Sequence, residues 1–209
     1  MVKRASPITI TPVGADEDDF KYTRVIGNEM YFFGDIDSDN ILEFTEEFKK
    51  LELDLLKKAI DTPGWIPEIR INICSDGGEL FSGLAAMNIL EKSRVRVITI
   101  ATGACSSAAT FMLLGGKERR MGKNAHILIH QLSTNGFWGK FEDLKEEMKS
   151  CTKFMETIKR TYKEKTKIPE KELNKLMKKD IYLNSSDCIK YEIVNAIDWC
   201  SRIFYIELK

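Results

Sequence analysis

Between Asn40 and Ile60 the apolar residues Ile41, Phe44, Phe48, Leu51 and Leu55 recur at intervals of three and four. That spacing predicts an amphipathic helix, and Asp37, Ser38 and Asp39 stand before it as capping-type residues. A short strand, MYFFG, precedes it, and the loop DTPGWIP follows. EIRINI then reads as a strand ending at SDGG, with a second helix from Glu79 to about Lys92. VRVITIA is the next strand, Cys105 to Leu114 the next helix, and HILIH a further strand. Strands alternating with helix-sized segments predict βαβ units with parallel strands and right-handed crossovers.

After Gly139 the pattern changes. Phe141, Leu144, Met148, Cys151, Met155, Ile158 and Tyr162 follow an unbroken 3-4-3-4-3-4 spacing, with Lys and Glu filling the intervals. A helix over 139–165 would be about 40 Å long. That exceeds what a small core needs, so the helix either lies along its own domain or projects to pack on another subunit. KIPEKELNKLMKK opens with a proline break and adds a shorter helix. Residues 1–20 are polar and acidic in part and read as a mobile arm, which leaves 21–209 as one domain.

The chain carries 32 basic and 32 acidic residues, so charge gives no case for nucleic acid or a membrane surface. Charged residues are 31% of the whole, yet the twenty residues Val97–Gly116 contain none. A membrane span would need such a length, but Thr99, Thr102, Gly103, Ser106, Ser107 and Thr110 are too polar for one. A buried strand, a tight turn and a buried helix explain the run better. The five cysteines are odd in number and form no C-x-x-C pair, which suits reduced thiols in a cytoplasmic setting. The N-terminus shows no signal-peptide pattern.

The only histidines are His126 and His130. On one strand they would share a face about 13 Å apart, too far to share a metal ion, so neither a metal nor another cofactor is expected. A serine hydrolase needs a base to take the hydroxyl proton and N–H groups aimed at the developing oxyanion. Ser106 and Ser107 begin a predicted helix, where unpaired N–H groups favour negative charge. The G-x-S-x-G elbow is absent, because Cys105 and Ala109 occupy its glycine positions. A serine at a helix start also serves as an ordinary cap. The paired glycines of SDGG let backbone approach a substrate closely, or simply turn the chain.

Taken together, the strand ending in S-x-G-G, the G-x-x-x-S at a helix start and the strand ending in His-Gln resemble the proteolytic subunit of the Clp protease. The likeness covers about residues 29–198. Family members read N-S-P-G-G where this chain has CSDGG, and G-x-A-A-S-M-G-A-F-L-L where it has GACSSAATFML. Their M-I-H-Q-P is matched by LIHQL, and their R-D-x-F-L-S-A-x-E-A is similar to KDIYLNSSDC. The resemblance implies an α/β fold, the ClpP/crotonase-like spiral of repeated βαβ units with a projecting handle helix at about 139–167. It implies a serine endopeptidase with Ser107 as nucleophile, His130 as base and Asp180 as orienting carboxylate. Asp187 and Asp198 are competing carboxylates, but only Asp180 falls at the aspartate of the family's R-D pattern. Gly78 and Ala108 fall where the family's two oxyanion N–H donors lie.

As partners, the resemblance implies peptide or unfolded protein substrates and self-association into heptameric rings, stacked as a tetradecamer through the handle helix. It also implies a ring-shaped ATPase unfoldase. Departures concern Asp76, Ala108, Leu132, Glu192 and Asn195, which replace family residues around the site and near the end of the likeness. The aromatic positions that receive the ATPase loops are Arg70, Asn72 and Lys92 here, and a methionine position is Thr102. A greasy pocket rebuilt with charge would bind an aliphatic loop poorly, so docking is expected to be altered. Two other readings remain at this point: an inactive ring subunit acting as scaffold, and an acyl-CoA hydratase or isomerase on the same fold.

Overall fold

The structure is a computed structural model that describes residues 21–134, 136 and 138–198. The expected arm over 1–20 lies outside the described residues.

A hairpin opens the described chain. β1 (Thr23–Ile26) and β2 (Glu29–Phe33) pair antiparallel around Gly27, whose φ of +64° suits a turn. β2 then pairs in parallel with β3 (Glu68–Ser75), and β3 with β4 (Arg96–Ser106). α1 (Ser38–Asp61) and α2 (Leu80–Glu91) are the crossovers, as the alternating pattern predicts. The Asp37 side chain caps α1 by accepting the Asn40 N–H at 2.8 Å. The predicted stripe Ile41, Phe44, Phe48, Leu51 and Leu55 is buried.

Alternation along β2 and β3 sorts the two faces of the sheet. Met30, Phe32, Ile69, Ile71 and Ile73 are fully buried in the core with α1. Phe32 meets Phe44 edge to face at 5.9 Å, and Phe44 stacks on Phe48 at 5.9 Å. Phe44→Ala is expected to cost about 3–5 kcal/mol in chemical denaturation, because nothing can refill that volume. The other face mixes charge with aromatic rings, since Tyr31 and the exposed Phe33 meet there edge to face at 6.3 Å. Glu29 stands opposite Arg70 and Tyr31 opposite Asn72. The Arg70 guanidinium reaches Asp198 at 3.0 Å and Glu29 at 3.4 Å, and Arg120 reaches the same Asp198 at 3.3 Å.

β4 is where the sheet divides. Its first half pairs with β5 (Glu118–Met121), which pairs with β8 (Ala196–Ile197). Its last residues, Ala104–Ser106, pair instead with β6 (His126–Leu128). β6 pairs antiparallel with β7 (Tyr182–Leu183). The expectation of parallel strands therefore holds for the centre, and the antiparallel pairs lie at β1–β2 and β6–β7. Two boundaries also differ from the sequence reading. β4 runs through Ser106, so the helix expected from Cys105 is α3 (Ala109–Leu114). β6 stops at Leu128, so His130 lies just beyond a strand and not within one.

α4 (Phe141–Lys165) is the long helix, followed by α5 (Glu170–Lys178) and α6 (Ser185–Lys190). Only Ile158, Thr161 and Tyr162 of α4 are buried. Phe141 is 71% exposed and Met148 61%, so the apolar stripe packs on its own domain at the C-terminal end and is open at the other. Cys74, Cys105, Cys151 and Cys188 are free thiols. Among the described residues no helix is long and apolar enough to cross a membrane, and no cluster of ligating side chains forms a metal site.

Candidate active site

Two chain reversals, after β3 and after β4, meet the segment that follows β6. At the first, Gly77 and Gly78 have φ of +101° and +149°, backbone that an L side chain rarely adopts. A Cβ on Gly77 would stand 2.6 Å from the Ser107 Cβ, so glycine there lets the β3–α2 turn lie directly on the elbow after β4. Ile36 donates its N–H to the Gly77 carbonyl at 2.8 Å and accepts the Glu79 N–H at 2.6 Å. Gly78 sits between these bonds, and among the described residues its own N–H has no acceptor.

At the second reversal Ser107 takes a φ of +54°, a strained value for a residue other than glycine. The elbow is held from three sides. Ser107 donates its N–H to the Leu128 carbonyl at 2.8 Å, and its carbonyl accepts from the Thr110 N–H at 3.0 Å and the Thr110 hydroxyl at 2.6 Å. Among the described residues the Ala108 N–H, like that of Gly78, has no acceptor. Ser106 is only 2% exposed, and its hydroxyl has no partner among the described residues. Ser107 is the more accessible of the two serines and faces a cavity.

That cavity, of about 170 Å³, is lined by Ser107, His130, Gly78 and Ala108 together. Its apolar walls are Leu80, Phe111, Leu132, Ile158 and Tyr162, and Glu79 contributes a carboxylate residue to the lining. Four of the five sequence-predicted site residues therefore share one small space. The fifth, Asp180, is exposed and does not line it. The ladder contact nearest to it is Leu128 facing Tyr182 across the antiparallel pair. Both strands end at that pair, so His130 and Asp180 each lie two residues beyond the last paired position. The Gln131 N–H, donated to the Met177 carbonyl at 2.9 Å, ties the same segment to the end of α5. The rival carboxylates are otherwise placed: Asp187 opens α6, and Asp198 pairs with Arg70 and Arg120.

His130 Nδ1 lies 2.6 Å from the Gln131 carbonyl oxygen. A carbonyl only accepts, so Nδ1 carries a proton, and in the neutral ring Nε2 is then the acceptor, the tautomer a general base requires. The two buried thiols, Cys105 and Cys188, are not rival nucleophiles. Burial pushes the Cys105 thiol far up, and burial with the nearby Asp187 charge raises Cys188 to about 12.

Sequence reasoning had read Ile158 and Tyr162 as part of a packing stripe; the structure makes them walls of the cavity as well. Thr110, buried in α3, was read only as polar content of the uncharged run. Nothing in the spacing distinguished these residues from ordinary core.

With this geometry in view, the known relatives are informative. The Clp protease family profile matches residues 58–198, more than half of the chain. The proteolytic subunit of the ATP-dependent Clp protease of Deinococcus radiodurans is 31% identical over 132 residues, which are 62% of this chain and 64% of that protein. Subunit 2 of the Treponema denticola enzyme is 33% identical over 131 residues, covering 62% and 65%. In both cases the match spans a little under two thirds of the relative. A mutant of ClpP1 from Listeria monocytogenes superposes with a TM-score of 0.71 at 21% identity, over 84% of this chain and 93% of that one. The fold is thus the α/β ClpP type, and the chain belongs to the Clp protease family.

Proposed function

We propose that this chain is the proteolytic subunit of a self-compartmentalised serine endopeptidase. The observation that carries the reading is the single cavity shared by Ser107, His130 and the backbone of Gly78 and Ala108. In the proposed reaction the Ser107 hydroxyl attacks a peptide carbonyl while His130 Nε2 accepts its proton. The Gly78 and Ala108 N–H groups receive the negative charge that develops on the carbonyl oxygen. His130 then returns the proton to the leaving amine, and water completes the cycle by hydrolysing the acyl-enzyme. Asp180 would replace the Gln131 carbonyl as partner of Nδ1 and stabilise the imidazolium, a charge that a neutral carbonyl balances less well.

The apolar walls and Glu79 set an expectation for substrate. Fluorogenic peptides with leucine or phenylalanine before the scissile bond should be cleaved at least about tenfold faster than the aspartate analogue. Equal rates would contradict the assignment of this cavity as the substrate pocket. Hydrolysis of such a peptide by the purified chain, blocked by a peptide β-lactone, tests the proposal as a whole.

Assembly into heptameric rings, stacked as a tetradecamer through α4, accords with the open apolar stripe of that helix. Confinement in such a chamber, in the cytoplasm, would limit cleavage to small peptides or threaded chains. Docking of a ring-shaped ATPase is proposed to be altered, because Arg70 and Asn72 sit in an ion-pair lattice with Glu29 and Asp198. Pull-down with a standard Clp ATPase should yield no stable complex; tight binding that depends on its apolar loops would overturn this.

The second reading, a ring subunit that lacks activity alone, is favoured by one observation: His130 Nδ1 faces the Gln131 carbonyl. Activity appearing only in a mixed assembly with a homologous subunit would support it.

A further inference from the structure

Thr110 does not line the cavity and Tyr162 enters the reaction just described only as an apolar wall, yet their hydroxyls lie against its centre. Thr110 is completely buried and Tyr162 is 2% exposed. The Thr110 hydroxyl is 2.6 Å from the Ser107 carbonyl oxygen and also touches the Tyr162 hydroxyl. A threonine hydroxyl has one proton, and a carbonyl can only accept. That proton therefore goes to Ser107, and the Tyr162 O–H must donate to Thr110. Burial raises the Tyr162 phenol well above its ordinary value, so the donor stays protonated throughout the working range of a protease. The chain of donation runs one way, from α4 through α3 to the elbow.

What it reaches is the other side of the amide that matters. The Ser107 carbonyl and the Ala108 N–H belong to one planar peptide unit and point in opposite directions. Anchoring the carbonyl with the Thr110 N–H and hydroxyl fixes where the Ala108 N–H aims. Hydrogen bonds to a carbonyl also polarise its amide and strengthen the N–H as a donor. Resting on the assignment of Ala108 as an oxyanion donor, we propose that Thr110 and Tyr162 are positioning residues, a buried hydroxyl relay that aims and polarises the Ala108 N–H. Because Tyr162 belongs to α4, the relay joins the helix with the open apolar stripe to the oxyanion site.

The test uses the assembled full chain with Tyr162→Phe, Thr110→Val and Thr110→Ser. Phenylalanine keeps the ring contact with Phe111, whose centroid is 5.6 Å away, and removes only the phenol oxygen. Each variant is titrated with a peptide aldehyde, which adds to the serine as a tetrahedral oxyanion, and with the matching peptide alcohol, which forms none. Removing an oxyanion donor outright costs about 10²–10³-fold, so disturbing one indirectly should weaken the aldehyde about tenfold in Tyr162→Phe. Thr110→Val should weaken it further, Thr110→Ser should restore it, and the alcohol should be unaffected. Turnover should fall with kcat while KM holds. Parallel weakening of aldehyde and alcohol, or an unchanged aldehyde, overturns the relay. Should the unsubstituted chain neither bind the aldehyde nor label with a fluorophosphonate, the peptidase reading fails first, and the relay with it.

Discussion

Ser107→Ala is expected to lower peptide hydrolysis by about 10⁴-fold or more and to leave the fold intact. The loss should be that large because the residual cavity can bind and polarise a substrate but has no atom to acylate. His130→Ala should fall almost as far, since a serine hydroxyl without a base is a poor nucleophile at neutral pH. The double variant should be little worse than either single one, because the two groups act as a unit. Hydrolysis of an internally quenched peptide, followed with thermal unfolding of each variant, makes the comparison. A Ser107→Ala protein retaining a tenth of the activity would remove the nucleophile from this account. Ser106→Ala is the control: its hydroxyl is buried away from the cavity, so activity should survive.

Gly78→Ala should be the most damaging substitution that removes no functional side chain. With φ at +149°, position 78 lies where alanine is strained, and a Cβ there would collide with the Ile36 carbonyl. Relief requires the β3–α2 turn to lift from Ile36, which breaks the Ile36–Gly77 and Glu79–Ile36 bonds and turns the Gly78 N–H away from the cavity. Loss of an oxyanion donor accounts for about 10²–10³ in kcat. Strain and lost hydrogen bonds add about 2–4 kcal/mol of destabilisation. Circular dichroism melts and kcat measured together distinguish these effects. Wild-type turnover in Gly78→Ala would contradict the role of this turn.

Much of this arrangement was legible in the residues, for identifiable reasons. The stripe of α1 and its Asp37 cap are local signals, and both appear where the spacing puts them. The same holds for the long helix, although only burial distinguishes its packed end at Ile158 and Tyr162 from its open end at Phe141. Other features are set by distant contacts. TGACS lacks β-branched residues after Thr102, so its end read as a helix start; pairing with β6 holds it as strand. β7 and β8 are two residues each, too short for any period, and exist because β6 and β5 offer them an edge.

The candidate site divides in the same way. Resemblance chose Ser107 over Ser106, and exposure to the cavity now gives a physical reason for the choice. Asp180 lies two residues outside the β6–β7 ladder and does not line the cavity, so resemblance alone points to it. Thr110 and Tyr162 were invisible as a pair, since fifty-two positions separate them and each looks like core.

Mapping a fluorophosphonate adduct by peptide mass spectrometry tests the central claim most directly. The account predicts a single adduct on Ser107, lost in His130→Ala, in protein that remains folded. An adduct on Ser106, or none on a folded and assembled chain, would contradict it.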